Sequence, residues 1–324
     1  MFMNCSLQEI SKRIQNAKSV AILTHMRPDG DAFGSALSLA CALDFLGIDC
    51  QVCVETDIPS NLAFIPEITR VKKAPQKPYD LMITVDCSDE ARLGILTDEF
   101  LQTKRKKIDV INIDHHISNT RYATYNYVRE CAANCMNVAQ LITYLGAPID
   151  KKIAEYLLIG LLTDSGSFSH DDVDKEALSL AATLVEKGAD IRYYNYMLFK
   201  RQSKARAKLF AMVMSGMRYF HDDKFALITI SQDQMKKCEA DNGMTEGFVD
   251  FPLNVDTVEV AASIMEVKCR QYKISLRSKE YADVNKIAGK FGGGGHVRAA
   301  GCMLFGELEE VIDKLSYTVS QYLE

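Results

Sequence analysis

Aspartate recurs at four points between residues 24 and 168, at two of them with histidine beside it. His25, Asp29 and Asp31 stand in THMRPDGDAFGS (24–35), and Asp86 lies in TVDCSD (84–89) at the end of an apolar run. Asp114, His115 and His116 are consecutive in INIDHHISN (111–119), and Asp164 ends an apolar stretch in IGLLTDSGSF (159–168). Carboxylates mixed with imidazoles suit two divalent cations held close together, because several carboxylates offset the four positive charges and an oxygen-rich set favours Mn(II) or a similar ion. Each segment alone has an ordinary explanation: Asp31 can cap the helix that follows it, and Asp86 can be a turn residue at a strand end. Four loops agreeing in ligand type point to one shared site, and adjacent histidines stand out in a chain with only six. The only Cys-x-x-Cys, Cys50 and Cys53, lies in a strand-like run with no matching second pair, and reads as buried thiols rather than a zinc site.

Such loops need buried elements to hold them. Strand-like apolar runs occur at 19–25 (SVAILTH), 50–54 (CQVCV), 80–86 (DLMITVD) and 108–113 (IDVINI). Between and after them come helical patterns at 6–17 with Ser6 as N-cap, 32–46 closed by Gly47, 134–145, 150–162, and 174–187 ending at Gly188. Continuous apolar strands alternating with helices predict an α/β fold with a mostly parallel sheet covered on both faces. Ligand crevices in such sheets lie at the carboxyl ends of the strands, where these Asp and His residues fall.

A length of 324 residues favours two domains. The expected division is 1–188 for the metal-binding domain, 189–214 for a helical connector rich in Lys, Arg and Tyr, and 215–324 for a smaller α+β domain with strand signals at 224–230 and 257–266. No apolar run reaches the ~18 residues that span a bilayer, and MFMNCSLQEISKRIQ turns polar at once, so no membrane association and a cytoplasmic location are expected. Ten cysteines without a framework rhythm read as free thiols. The formal charge of −5 disfavours long duplex nucleic acid but not a small anionic substrate, and two bound divalent ions would bring it to −1. The basic run 200–208 (KRQSKARAK) reads as a solvated helix face.

HMRPDGDA, VDCSD, DHH and LLTDSGSF, in this order, resemble the four motifs of the DHH phosphoesterase family, while ISLRS (274–278) and DVNKIAGKFGGGGHVRAAG (283–301) resemble the C-terminal domain that accompanies one of its subfamilies. The likeness spans nearly the whole chain and is nearest to the nanoRNase group, which degrades oligoribonucleotides and removes phosphate from 3′-phosphoadenosine 5′-phosphate (pAp). It implies that His25 and Asp29 hold one metal, that Asp31, His115 and Asp164 hold the other, and that Asp86 bridges both. His116 would then meet the phosphate or protonate the leaving oxygen, with Asp114 orienting an imidazole. In the second domain Gly293, Gly294, Gly295 and His296 would cradle the nucleotide, with charge from Arg277 and Arg298. The second domain would hold one end of a short substrate while the first cuts it.

Short oligoribonucleotides and nucleotide phosphates are the expected substrates, and a homodimer is expected by family likeness. Two other readings remain: a hydrolase of linear dinucleotides such as pApA, and a nucleotide-binding module without catalysis. Occupancy of all six ligand positions by metal-competent residues weighs against the latter. Ser169, His170, Asp171 and Asp172 depart from the family's usual polar or basic, Asn/Thr-containing continuation by adding negative charge.

Overall fold

Ser6 opens the first helix, α1 (Leu7–Asn16), through a reciprocal capping box in which its hydroxyl accepts from the Glu9 amide and the Glu9 carboxylate accepts from the Ser6 amide. The structure is a computed structural model that describes residues 4–324. The chain divides into two units, the first ending at Arg201 and the second beginning at Gln202.

In the first unit β1 (Ser19–Leu23) is followed by α2 (Gly30–Phe45), β2 (Asp49–Cys53), β3 (Leu81–Val85), α3 (Thr97–Arg105), β4 (Asp109–Asp114) and β5 (Tyr125–Val128). Helices α4 (Asn134–Leu145), α5 (Lys151–Asp164), α6 (Lys175–Glu186) and α7 (Ile191–Asn195) follow. All five strands pair in parallel in the order β2-β1-β3-β4-β5. Every residue of β3 is buried, which accounts for the unbroken apolar run LMITV. Val20, Ile22, Ile83 and Ile111 pack with α1, α2, α4 and α5 in the larger core, while Ala21, Leu23, Met82 and Val110 pack with Phe100 of α3 on the opposite face. The α/β fold with helices on both faces is therefore as the apolar pattern predicts.

Helices α2 and α5 cross at glycines. A Cβ on Gly34 would fall 2.5 Å from the Tyr156 carbonyl oxygen, and one on Gly160 would fall 2.6 Å from Asp31 Oδ1. This close approach brings the start of α2 and the end of α5, and with them Asp31 and Asp164, to the same edge of the sheet.

The second unit comprises α8 (Lys204–Met214), β6 (Arg218–Phe220), β7 (Phe225–Ile230), α9 (Gln232–Cys238), β8 (Val260–Lys268), β9 (Gln271–Ser278), α10 (Val284–Gly289), β10 (Gly294–Gly295), β11 (Ala299–Phe305) and α11 (Leu308–Ser320). Its sheet runs β10-β11-β9-β8-β7-β6, with β7 and β8 parallel and the other pairs antiparallel. One face packs on α10 and α11, the other on α8 and α9. The stretch 189–214, expected as a connector, is divided: Tyr194 of α7 enters the core of the first unit, whereas Leu209 and Val213 of α8 enter a core of the second. Apolar residues on each piece need a partner face, so neither piece stands apart as a linker. Among the described residues no helix is long and apolar enough to cross a membrane.

The crossing predicts that Gly34→Ala destabilises the protein by about 1–3 kcal/mol, because the new methyl meets backbone that cannot turn aside. Gly289→Ala, where nothing lies within 4 Å, should be neutral or stabilising. Urea unfolding of both variants measures the contrast.

Candidate metal centre

The site begins with where the strands end. His25 follows β1 by two residues, Asp86 follows β3 directly, and Asp114 is the last residue of β4, with His115 and His116 next. Asp86 is 2% exposed and adopts the left-handed backbone conformation at φ 52°, an uncommon state for a residue with a Cβ. Its amide donates to the Ile113 carbonyl at 3.0 Å, which fixes the turn.

Asp29 and Asp31 divide the work at the start of α2. Asp29 is the N-cap, its Oδ1 accepting from the amides of Asp31 and Ala32 at 3.0 Å each. Asp31 therefore does not cap its own helix, the alternative that the sequence left open. Its carboxylate instead accepts from the amides of Asn134 and Cys135 at the start of α4, a helix whose own N-cap, Ala133, has no side chain to offer. The positive end of α4 thus faces the Asp31 carboxylate.

Three overlapping groups of donor atoms result, each with all members within 4.8 Å of one another: His25, Asp29 and Asp86; Asp31, Asp86, His115 and Asp164; and Asp86, Asp114, His115 and His116. Asp86 belongs to all three. His25 Nε2 lies 3.4 Å from Asp86 Oδ2, and His115 Nε2 lies 3.4 Å from both Asp86 Oδ1 and Asp164 Oδ2. The other ring nitrogen of each histidine is engaged, His25 Nδ1 donating to the Met26 carbonyl and His115 Nδ1 to the Cys131 carbonyl, both at 2.9 Å. That tautomer leaves each Nε2 lone pair facing the carboxylates, as metal ligation requires.

Without a cation, the same carboxylates favour a proton on Nε2 in its place. Burial, and then the neighbouring charge of Asp86, push Asp31 from its ordinary 3.8 up to about 7. Burial with the charges of Asp31 and Asp86 pushes Asp164 up to about 12. Burial opposes charge on His115, but its contact with Asp86 and the charge of Asp31 prevail and raise it to about 10. Asp86, although burial disfavours its charge, is held below the usual carboxylate range by His115 and His25. Asp86 Oδ1 is also buried with no hydrogen-bond partner. A buried acceptor without a donor, among carboxylates that cannot all ionise unaided, fits a divalent cation.

His116 is arranged differently. Its Nδ1 donates to Asp114 Oδ1 at 2.8 Å, so Asp114 orients this ring, and Nε2 is the nitrogen left free. Asn119 Nδ2 donates to the other oxygen of Asp114 at 2.6 Å and to Asn112 Oδ1 at 2.8 Å. Asn119 is not marked by residue type as part of the site, although it stands three residues past His116 within INIDHHISN. Asn137, whose Nδ2 donates to the carbonyls of Asp114 and Arg129, and the α4 amides that meet Asp31 are further supports seen only in the fold. Nothing in local spacing signals those. Cys50 and Cys53 diverge, Cys50 lying beside the larger core and Cys53 within the smaller one.

In the second unit the glycine run is packed and paired. A Cβ on Gly293 would fall 2.2 Å from the Gly301 carbonyl oxygen, and Gly294 and Gly295 pair with Gly301 and Ala300 of β11. His296 closes a tight turn with Ala299, its side chain exposed. The two arginines have partners: Arg277 Nε sits 3.0 Å from Asp250 Oδ1, and Arg298 donates to the carbonyls of Ala282 and Glu280. Arg298 thereby fastens the turn to the segment before α10.

With this geometry established, comparison with known proteins gives the class. Residues 19–161 match the DHH family, N-terminal domain, and residues 224–324 match the DHHA1 domain. The chain is 30% identical to the bifunctional oligoribonuclease and PAP phosphatase NrnA of Thermus thermophilus, over 97% of this chain and 93% of that protein. It is 26% identical to the probable bifunctional oligoribonuclease and PAP phosphatase NrnA of Streptococcus mutans, over 96% and 98%. An exopolyphosphatase-related protein from Bacteroides fragilis superposes with a TM-score of 0.85 at 26% identity, covering 98% of this chain and 96% of that one. The chain therefore belongs to the DHH family, as a phosphoester hydrolase with a DHHA1 domain.

The pKa shifts give a pH test. Without cations the folded chain binds more protons at Asp31 than the unfolded chain does, so stability falls as pH rises from about 4 to about 7. His115, also raised, continues the fall at higher pH. Cations bind the ionised carboxylates and oppose this trend. The gain in melting temperature on adding Mn(II) should therefore be larger at about pH 8 than at about pH 5; an equal gain at both would contradict the assignment.

Proposed function

We propose that this protein is a two-cation, manganese-dependent phosphoesterase that degrades short oligoribonucleotides to mononucleotides and converts pAp to AMP. The observation that carries this is Asp86, which is shared by the His25–Asp29 group and the Asp31–His115–Asp164 group. His25 and Asp29 would hold one cation, Asp31, His115 and Asp164 the other, with one oxygen of Asp86 turned to each. Oxygen-rich ligation with one imidazole per group suits Mn(II). When bound, the cations supply an ionised water at neutral pH and offset charge on the phosphoryl oxygens.

The chain's own residues supply the rest. His116, with Nδ1 tied to Asp114, uses its free Nε2 to hold the phosphate or to deliver a proton to the leaving oxygen. Asn119 keeps the Asp114 carboxylate from turning away. The second unit receives the nucleotide on the surface around Gly293, Gly294, Gly295 and His296, with Arg277 and Arg298 near it. The oligoribonuclease and PAP phosphatase activities named for the Thermus and Streptococcus relatives, which match nearly end to end, support this substrate class.

Hydrolysis of pAp, pApA and a long single-stranded RNA in the presence of Mn(II) tests the reading. Short substrates should turn over and the long strand should not, and Asp86→Ala should abolish activity. Preference for pApA alone would redirect the assignment to linear dinucleotides. His116→Ala should keep its manganese and lose about 10²-fold or more in kcat; wild-type turnover in that variant would remove His116 from the mechanism.

A further inference from the structure

The residues after Asp164 make an unusual turn. Gly166, Ser167 and Phe168 have φ of 53°, 57° and 65°, three successive left-handed residues of which only the first is a glycine. Such a conformation is unfavourable for residues with a Cβ and persists only where its surroundings hold it. Here the Phe168 amide donates to Ser165 Oγ at 3.0 Å, the amides of Ser169 and His170 donate to the Ser165 carbonyl, and Asn195 of α7 donates to Ser167 Oγ.

The effect of the turn is to bring His170 back over the end of α5. Its Nδ1 donates to the main-chain carbonyl of Asp164 at 2.5 Å, which fixes the tautomer with the proton on Nδ1. The ring lies against Gly166, where a Cβ would come within 2.4 Å of Nε2. The Asp164 carbonyl is among the last of α5, which the helix itself leaves without a donor. A side chain six residues on thus pins the backbone of the residue whose Oδ2 lies 3.4 Å from His115 Nε2.

We propose that His170 is a positioning residue for the metal centre: by holding the Asp164 carbonyl it sets the direction of the Asp164 carboxylate and so the affinity for the cation at that side. The inference rests on the reading of Asp164 as a metal ligand. It assigns a role to the segment Ser169–Asp172 that departs from the family pattern. His170, itself exposed, supplies the donor, and Asp171 and Asp172 beside it are exposed as well.

The test uses the full chain and titrates Mn(II) calorimetrically into the wild type, His170→Ala, His170→Asn and Asp164→Asn. The asparagine amide nitrogen occupies nearly the same place relative to Cβ as histidine Nδ1, so His170→Asn can restore the bond. His170→Ala should weaken one of the two binding events about tenfold and His170→Asn should recover most of it, while Asp164→Asn should lose that event. Wild-type affinity in His170→Ala beside a clear loss in Asp164→Asn would overturn the role of His170 alone. Equal weakening in His170→Ala and His170→Asn would also overturn it, since the donor would then not be what matters. Wild-type binding in Asp164→Asn would overturn the ligand reading and the inference together.

Discussion

Carboxylates crowded at one end of a sheet repel one another, and the rest of this structure is arranged around that repulsion. Asp31, Asp86 and Asp164 meet His115 within a few ångströms, with His25 on the far side of Asp86, and burial of Asp31 and Asp86 removes the water that would otherwise screen them. Asp86 ionises because two histidines face it, while burial, and then the neighbouring carboxylate charges, drive Asp31 and Asp164 toward the neutral acid. Divalent cations resolve the conflict. The helix crossing at Gly34 and Gly160, the α4 amides on Asp31 and the carbonyls on His25 and His115 all serve to keep these groups together against their mutual repulsion.

The same logic separates the two adjacent histidines. His115 turns Nδ1 to a main-chain carbonyl and Nε2 to the carboxylates, which suits it to the ligand role proposed for it. His116 turns Nδ1 to Asp114 and keeps Nε2 free, which suits contact with substrate. Neighbouring residues of one type thus acquire different roles through the partner of a single ring nitrogen. Asp114 and Asn119 extend that control into a buried polar network with Asn112, Thr84 and Tyr122.

Much of the first unit was legible because its strands are buried on both faces and so read as apolar runs; β1 to β4 fall, within two residues at their ends, where SVAILTH, CQVCV, DLMITVD and IDVINI predict. The short strand β5, YNYV, was not, since two tyrosines and a buried asparagine carry no apolar run, and its place depends on pairing with β4. The proposed ligands were legible as residue types repeated at strand and helix ends. Their supports were not: Asn119, Asn137 and the α4 amides act through contacts that span from five to more than a hundred residues. The exchange of capping roles between Asp29 and Asp31 is of the same kind, because it depends on where α4 comes to rest. In the second unit the glycine run was legible as special, but its pairing with β11 and the engagement of Arg277 and Arg298 required the fold.

Asp86 is proposed to join two cation sites. Diffraction from manganese-soaked crystals, measured at the manganese absorption edge, addresses it most directly. Two anomalous peaks are expected in the first unit, one among His25, Asp29 and Asp86 and one among Asp31, Asp86, His115 and Asp164, with a different Asp86 oxygen nearest each. A single peak, or two peaks of which one has no contact with Asp86, would contradict it.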